Sequence, residues 1–358
     1  MIRPKKHLLG IERPKAAPEP TRHGLHRLDK NERNLPFTDQ FLDVIRHKIT
    51  SDVLSAYPEP WPAYKRLAAM LGRPADCLLF HLGSEQSIKL IFETYIRKGD
   101  KILLHAPGFA MYPVYAHLFQ AKTEAVNHDE NLGFDWDDFL GRIVPGLRMV
   151  VLENPNGFLG TAPSIEVIRA AVERAAECGA LALVDEAYYL FHRNGADQLL
   201  DAYDNLIITR SFSKAFGLAG LRAGYILSQE KNIEHLRSLK PAYELTSFTI
   251  VALCALLDQP GEFTSYVEQT REQLTAMKRQ FHSLGFAHSE SIANFLTVRL
   301  GNELAERLRQ DLEGHGILLR RPFREETLKD WIRISTAPPP VQNLLFERLR
   351  ALVETHHG

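Results

Sequence analysis

Leu206-Ile207-Ile208-Thr209-Arg210-Ser211-Phe212-Ser213-Lys214-Ala215-Phe216-Gly217-Leu218-Ala219-Gly220-Leu221-Arg222-Ala223-Gly224 runs from a short apolar strand into a lysine set among small and apolar residues. Two hydroxyls precede that lysine, and an arginine follows about two helical turns later. Desolvation by such neighbours favours the neutral amine, the form that attacks a carbonyl to make a Schiff base. Ser211, Ser213 and Arg222 offer two hydroxyl donors and a charged fork of N–H groups, which suits a phosphate. A phosphorylated aldehyde would use the amine and the anion clamp together. The plain alternative for Lys214 is a solvated lysine at a helix start. Ser-x-Lys alone carries no information; the specific signal is the whole string.

Working outward, the same alternation recurs. Cys77–His81, Lys101–His105, Ala121–Ala125, Arg148–Leu152, Leu181–Asp185, Leu206–Thr209 and Arg222–Leu227 read as short apolar strands. Helices are expected from the Gly83-Ser84 turn through Ile96, over Tyr112–Phe119 and over Ser164–Cys178. Short continuous apolar strands separated by helices predict an α/β fold with a mostly parallel sheet buried on both faces. In such sheets ligands bind beyond the carboxyl ends of the strands. Upstream, Phe37–Ile49 reads as helical and Trp61–Leu71 as a helix stopped by Gly72. Residues 1–36 are rich in proline and charge and predict an extended arm lying on another surface. After about residue 255 the texture changes to an α+β pattern. It comprises a helix Phe263–Leu284, an apolar run Asn294–Leu300, a helix Glu303–Glu313, strands Ile317–Arg320 and Trp331–Ser335, and a helix Val341–His356. The expected organisation is an arm (1–36), a large domain (37–255) and a small domain (256–358).

Composition narrows the class. The chain has 358 residues, 43 basic and 44 acidic side chains and a net charge of −1, so nothing asks for nucleic acid or an anionic membrane. Cys77, Cys178 and Cys254 lie far apart without paired spacing, which argues against a disulfide framework and against a zinc site. No apolar run is long enough for a signal peptide core or a membrane span, and a cytoplasmic location is expected.

Other residues suggest chemistry. Asp185 ends the strand Leu181–Val184, and a carboxylate there can keep a pyridine nitrogen protonated, turning the ring into an electron sink. Tyr188 could donate to that ring's oxygen. The apolar-apolar-Asp-Glu pattern also occurs in nucleotide hydrolases, but the Gly-x-x-x-x-Gly-Lys loop those need is missing, as is Gly-x-Gly-x-x-Gly. Gly83-Ser84-Glu85 opens a helix, where free N–H groups can hold a phosphate; many such turns bind nothing. Phe109 either stacks on a flat ring or belongs to the core. Arg333, inside the apolar strand Trp331–Ser335, needs a partner: a buried salt bridge or a substrate's acid group.

Together these residues resemble the fold-type I pyridoxal-phosphate (PLP) aminotransferases of class I/II, and among them the histidinol-phosphate aminotransferase branch. The similarity runs from about Leu28 to Ser335. Its strongest parts are Ser211–Gly224 and Asp185–Tyr188, supported by Leu28-Asp29-Lys30-Asn31-Glu32, Tyr57-Pro58, Gly83-Ser84-Glu85, Phe109, Ala293-Asn294-Phe295, Arg320 and Arg333. The resemblance implies a three-layer PLP-transferase fold whose small domain includes the arm. It implies that Lys214 joins covalently to PLP and shuttles the proton, that Asp185 pairs with the ring nitrogen, Tyr188 with the ring hydroxyl, and that Phe109 stacks. Ser84, Glu85, Ser211, Ser213 and Arg222 would hold the phosphate. Arg333, Arg320 and Asn31 would serve substrate. Tyr57 would reach the neighbouring subunit's cofactor in a homodimer. The partners implied are an amino donor and a 2-oxo acid.

Three departures stand out. The family loop Asn-Asn-Pro-Thr-Gly reads Asn154-Pro155-Asn156-Gly157-Phe158-Leu159-Gly160, so Gly157 replaces the asparagine that bonds the ring oxygen, and Asn156 is the candidate substitute. Gly10-Ile11-Glu12-Arg13-Pro14 stands where the branch has Tyr-x-Pro-Gly. Tyr243-Glu244 replaces Tyr-Asn. A PLP-dependent decarboxylase or lyase of a phosphorylated amino acid is therefore a second expectation. A non-catalytic regulatory domain is a third, disfavoured because residues 1–36 are too short and proline-rich for a DNA-binding module.

Overall fold

The computed structural model describes residues 2, 5–9, 22–323 and 328–354. The Gly10–Pro14 segment and residues 355–356 of the last expected helix lie outside that set. The strands in chain order are β1 His26–Leu28, β2 Leu78–His81, β3 Lys101–Ala106, β4 Lys122–Asn127, β5 Leu147–Glu153, β6 Leu181–Asp185, β7 Leu206–Ser211, β8 Gly224–Ser228, β9 Phe295–Arg299, β10 Ile317–Leu319 and β11 Trp331–Ser335.

β2 to β8 form one seven-stranded sheet in the order β2-β8-β7-β6-β5-β3-β4. β8 runs antiparallel to both β2 and β7, and the remaining pairs are parallel. The two-residue side-chain period splits every strand except the largely exposed edge strand β4 between two cores. Phe80, Leu103, Val150, Leu152, Val184, Ile208 and Tyr225 point into one. Their chain neighbours Leu79, Ile102, Leu104, Met149, Val151, Leu183, Ile207 and Ile226 point into the other. Helices cover both faces, so neither shows the polar alternation of a half-wet sheet. Burying each such side chain stabilises by roughly 1.5–3 kcal/mol, so losing one face's helices would not leave a soluble sheet.

A further core gathers Leu274, Met277 and Phe281 of the helix Gly261–Ser283 with Leu296, Val298, Ile332 and Ile334 of the antiparallel β9–β11 pair and the final helix Pro339–Glu354. The arm is not wholly extended coil. His26–Leu28 adds in parallel to β10, pairing Leu28 with Leu319, and Leu28 enters this core. Two other differences have local causes. The strand expected from Arg222 starts at Gly224, because Arg222 is left-handed with φ 51°. A helix Ser247–Leu257, capped by Thr246 Oγ1 accepting from Thr249 N, was not foreseen; it is apolar on all sides and offers no helical stripe to read. No helix among the described residues is long and apolar enough to cross a membrane.

Candidate active site

The register of the large sheet brings the chemistry to one edge. Glu153 lies beside Asp185, Asp185 beside Thr209, and Ser211 beside Gly224, which also faces His81. The helix Gly83–Tyr95 starts at that edge. A cavity of ≈ 740 Å³ opens there, lined by Ser84, Glu85, Phe109, Asp185, Tyr188, Ser211, Ser213, Lys214, Arg222, Arg320 and Arg333, and also by Glu153, Gly157 and Phe158. Eleven expected residues thus meet at one concave surface.

Lys214 is half-buried, and its Nζ donates to Lys30 O at 2.7 Å and Asn31 O at 3.4 Å. Burial pushes its pKa below the ordinary lysine value, with Arg333 and Arg222 adding to the shift and Tyr188 and Glu32 opposing it. Asp185 accepts from Tyr112 Oη at 2.9 Å, Thr209 Oγ1 at 3.2 Å and Ala187 N at 3.2 Å. Burial nevertheless raises its carboxyl to about 6. Tyr188 packs edge-on against Phe295, and its hydroxyl accepts from Asn31 Nδ2 at 2.8 Å. Asn31 is buried in the left-handed region (φ 55°), and its Oδ1 accepts from Ser335 Oγ at 2.9 Å. Both side-chain ends of Asn31 are engaged, so it acts here as the strut behind Tyr188 rather than as a cavity wall.

The phosphate-type donors form a second group. Ser213 N donates to Ser211 Oγ at 3.0 Å, and Arg222 Nη1 donates to Ser213 Oγ at 3.3 Å. A Cβ on Gly224 would stand 2.7 Å from both Gly83 C and Ser84 N, so only glycine lets the helix start approach the β8 edge. On the opposite wall, Arg333 donates from Nη1 to Gly157 O at 2.6 Å, while its Nε is buried with no partner. Burial lowers this guanidinium to about 10. Arg320 lies over the rings of Phe158 and Phe323.

Some expected residues are elsewhere. Asn156 does not face the cavity, contrary to its expected role. Its Nδ2 donates to Pro107 O at 2.8 Å and its Oδ1 accepts from Phe158 N and Leu159 N, so the loop itself consumes the side chain. Tyr57 is 77% exposed, stacks on Tyr243 at 4.6 Å and stands outside this chain's own cavity. Glu244 binds His81 Nε2 at 3.1 Å and Lys240 Nζ at 3.2 Å, away from the cavity. Burial takes His81 down to about 4.

Two features escaped the reading of the sequence. Glu153 closes an apolar strand, where an acid reads as an ordinary strand-end residue. Arg210 points to the other side of the sheet edge and meets Glu186 and Asp197.

These observations fit a phosphorylated pyridine aldehyde. Asp185 is a buried acid that a cation in the cavity would complete, Lys214 is an amine biased to its neutral form, and the Ser211–Ser213–Arg222 cluster suits a dianion. The family described as aminotransferase class I and II matches residues 61–345, and the chain belongs to that family. It is 30% identical over 328 residues to a histidinol-phosphate aminotransferase of Carboxydothermus hydrogenoformans, covering 90% of this chain and 91% of that one. It is also 30% identical over 344 residues to that of Chromohalobacter salexigens, covering 93% and 94%. Among solved structures, the histidinol-phosphate aminotransferase of Sinorhizobium meliloti in complex with pyridoxal-5'-phosphate superposes with a TM-score of 0.83 at 24% identity, covering 92% of this chain and 91% of that one. L-threonine-O-3-phosphate decarboxylase of Porphyromonas gingivalis shares the fold, with a TM-score of 0.77 at 20% identity, covering 92% and 99%.

Proposed function

We propose that this chain is a PLP-dependent aminotransferase that moves an amino group between an anionic amino donor (an amino acid or an amino-phosphate such as histidinol phosphate) and a 2-oxo acid. The observation that carries this reading is the meeting of Lys214, Asp185 and the Ser211–Ser213–Arg222 donors on one cavity. Bound PLP supplies an electron sink for the bond broken at the carbon bearing the amine.

The chain's own residues do the rest. Lys214 provides the amine to which the cofactor would be joined and would later carry the proton, and burial, by lowering its pKa, favours the neutral amine that bonding to an aldehyde needs. Asp185 holds the proton on the ring nitrogen. Tyr188, braced by Asn31, would bond the cofactor's ring oxygen, and Phe109 would lie against its ring. Ser84 and Glu85 through their backbone, with Ser211, Ser213 and Arg222, hold the phosphate. Arg333, with Arg320, would take the substrate's acid group where both line the cavity. Residues 37–255 would form the larger, cofactor-holding unit, and 256–358 with the arm the smaller one. The exposed Tyr57–Tyr243 stack suits a homodimer in which Tyr57 reaches the other subunit's cavity. A cytoplasmic location agrees with the three free cysteines.

The test mixes the PLP-loaded protein with single amino acids and amino-phosphates and follows pyridoxamine phosphate by absorbance and chromatography. Its accumulation, reversed by a 2-oxo acid, is the expected result. Release of carbon dioxide without any need for a 2-oxo acid would replace this reading with decarboxylation.

A further inference from the structure

Glu153 ends β5 opposite Asp185 and is 3% exposed. Its two carboxyl oxygens serve two different loops. Oε1 accepts from Phe109 N at 2.5 Å and Oε2 from Gly157 N at 2.7 Å. The neighbouring residues make room for it. A Cβ on Gly108 would stand 2.3 Å from Oε1 and 2.8 Å from His105 O, and one on Gly157 would stand 3.2 Å from Oε2. Gly157 passes the link on through the next peptide group, because its carbonyl accepts from Arg333 Nη1 at 2.6 Å. Phe109 N–H, the Glu153 carboxyl, the Gly157 backbone (its N–H and, one peptide on, its carbonyl) and the Arg333 guanidinium therefore form one connected run along the cavity wall.

We propose that Glu153 is a positioning residue for the transamination: by tying the Phe109 loop to the Gly157 loop it sets, as one unit, the aromatic wall of the cavity and the arginine that receives the substrate's acid group. This rests on the reading of the cavity as a PLP site. The groups that face Glu153 are Asp185 on β6, Arg333 on β11, Tyr112 on the helix Met111–Leu118 and His105 on β3, whose Nε2 accepts from Glu153 N. Burial and the Asp185 charge push the Glu153 carboxyl up to about 8, against the two N–H donors and Arg333. Ionisation in that range adds a second negative charge beside Asp185. Glutamine keeps the shape and one acceptor but removes the charge change.

The experiment compares holoenzyme of wild type, Glu153→Gln and Glu153→Ala, with 2-oxoglutarate as acceptor. It records KM and kcat, and the pH titration of the bound cofactor's absorbance without substrate. Glu153→Ala should raise KM for 2-oxoglutarate about tenfold with a smaller loss in kcat. Glu153→Gln, which keeps one loop link and sets its NH2 against the other N–H, should raise that KM less than alanine does while moving the absorbance midpoint by about half a pH unit or more. KM within twofold of wild type in both variants, or a glutamine variant as impaired as alanine with an unmoved midpoint, overturns the proposal. Should Glu153→Ala fail to fold, Gly157→Ala presses on Oε2 from the loop side: it should raise the same KM, and an unchanged KM overturns the proposal. A wild-type enzyme that neither retains PLP nor consumes 2-oxoglutarate would instead remove the underlying reading.

Discussion

Asp185 and Glu186 are consecutive, both buried, and point to opposite sides of the sheet edge, where they meet opposite conditions. Glu186 accepts from Arg210 Nε at 2.8 Å and from Ala196 N at 2.6 Å; Arg210 also reaches Asp197 at 2.5 Å and lies 3.4 Å over the Tyr189 ring. In that cluster one arginine answers both acids. Asp185 has neutral donors around it and a second acid, Glu153, as its neighbour across the strand. The nearby Lys214 amine and Arg333 guanidinium are bound to backbone carbonyls instead. The difference is between charges the fold itself completes and charges left for a ligand to complete. A buried ion cluster that closes on itself is structural, and one that does not close is where binding energy is available.

The comparison predicts that activity and stability respond to different sides of the edge. The largest effect is on the open side. Lys214→Ala should lower turnover by about 10⁴-fold and abolish the reducible, covalent attachment of PLP. Melting of the cofactor-free protein should stay level or rise, since a desolvated amine has been removed. A variant that keeps turnover and the covalent spectrum breaks the assignment. On the closed side, Arg210→Met should cost about 3–5 kcal/mol in denaturant unfolding, because Glu186 stays buried without its partner. Whatever folded protein remains should bind PLP normally. An unfolding midpoint unchanged by Arg210→Met would mean the cluster is not what holds that side together.

Asp185→Asn comes next. Turnover should fall about 10²–10³-fold. Stability gives a sharper check, through pH. Asp185 has an ordinary carboxyl value of 3.8, raised to about 6 in the folded chain. Below about pH 4 it is protonated folded or unfolded and contributes nothing. As pH rises from about 4 to 6 the unfolded chain ionises first, so stability is lost, by about 3 kcal/mol once both states are ionised. Cofactor-free Asp185→Asn should therefore match wild type at pH 4 and exceed it at pH 7 in chemical unfolding. PLP should shrink that gap in wild type by supplying the missing cation. An equal gap at both pH values would show that Asp185 carries no uncompensated charge.

Much of this edge was legible because strands buried on both faces are written as continuous apolar runs. Leu181–Asp185, Trp331–Ser335 and the helix Trp61–Leu71 appear with the bounds their sequences suggest. The lysine segment carried its own signal, since its hydroxyls, arginine and glycines are close in sequence. What was not legible depends on distant contacts. Three residues of β1 become a strand only through β10. Asn156 has the residue type for a cavity ligand but is consumed by Pro107 O and its own loop. Glu153 and Arg210 are polar residues within or at the end of apolar strands, and only the register tells which face each acid or base takes.

The smallest expected effect separates the two buried arginines. Arg210 and Arg333 both sit in strands with every neighbour buried, and each leaves one guanidinium nitrogen unpartnered, Nη1 in Arg210 and Nε in Arg333; the difference is that Arg210 meets two carboxylates and Arg333 only a backbone carbonyl. Burial holds the Arg333 pKa down to about 10, the sign of a cation whose solvation is incompletely replaced. Arg333→Lys keeps the charge but loses the planar fork, so it cannot bond Gly157 O and a carboxylate in the same geometry. KM for a 2-oxo acid should rise about tenfold, a loss near 1.4 kcal/mol, with kcat changed less. Unfolding should change by only about 1 kcal/mol, well below the cost at Arg210, since the fold does not draw on a closed ion pair there. A large stability loss with an unchanged KM would place Arg333 with Arg210, as a strut of the sheet edge, and the acid group of the substrate would have to be bound elsewhere in the cavity.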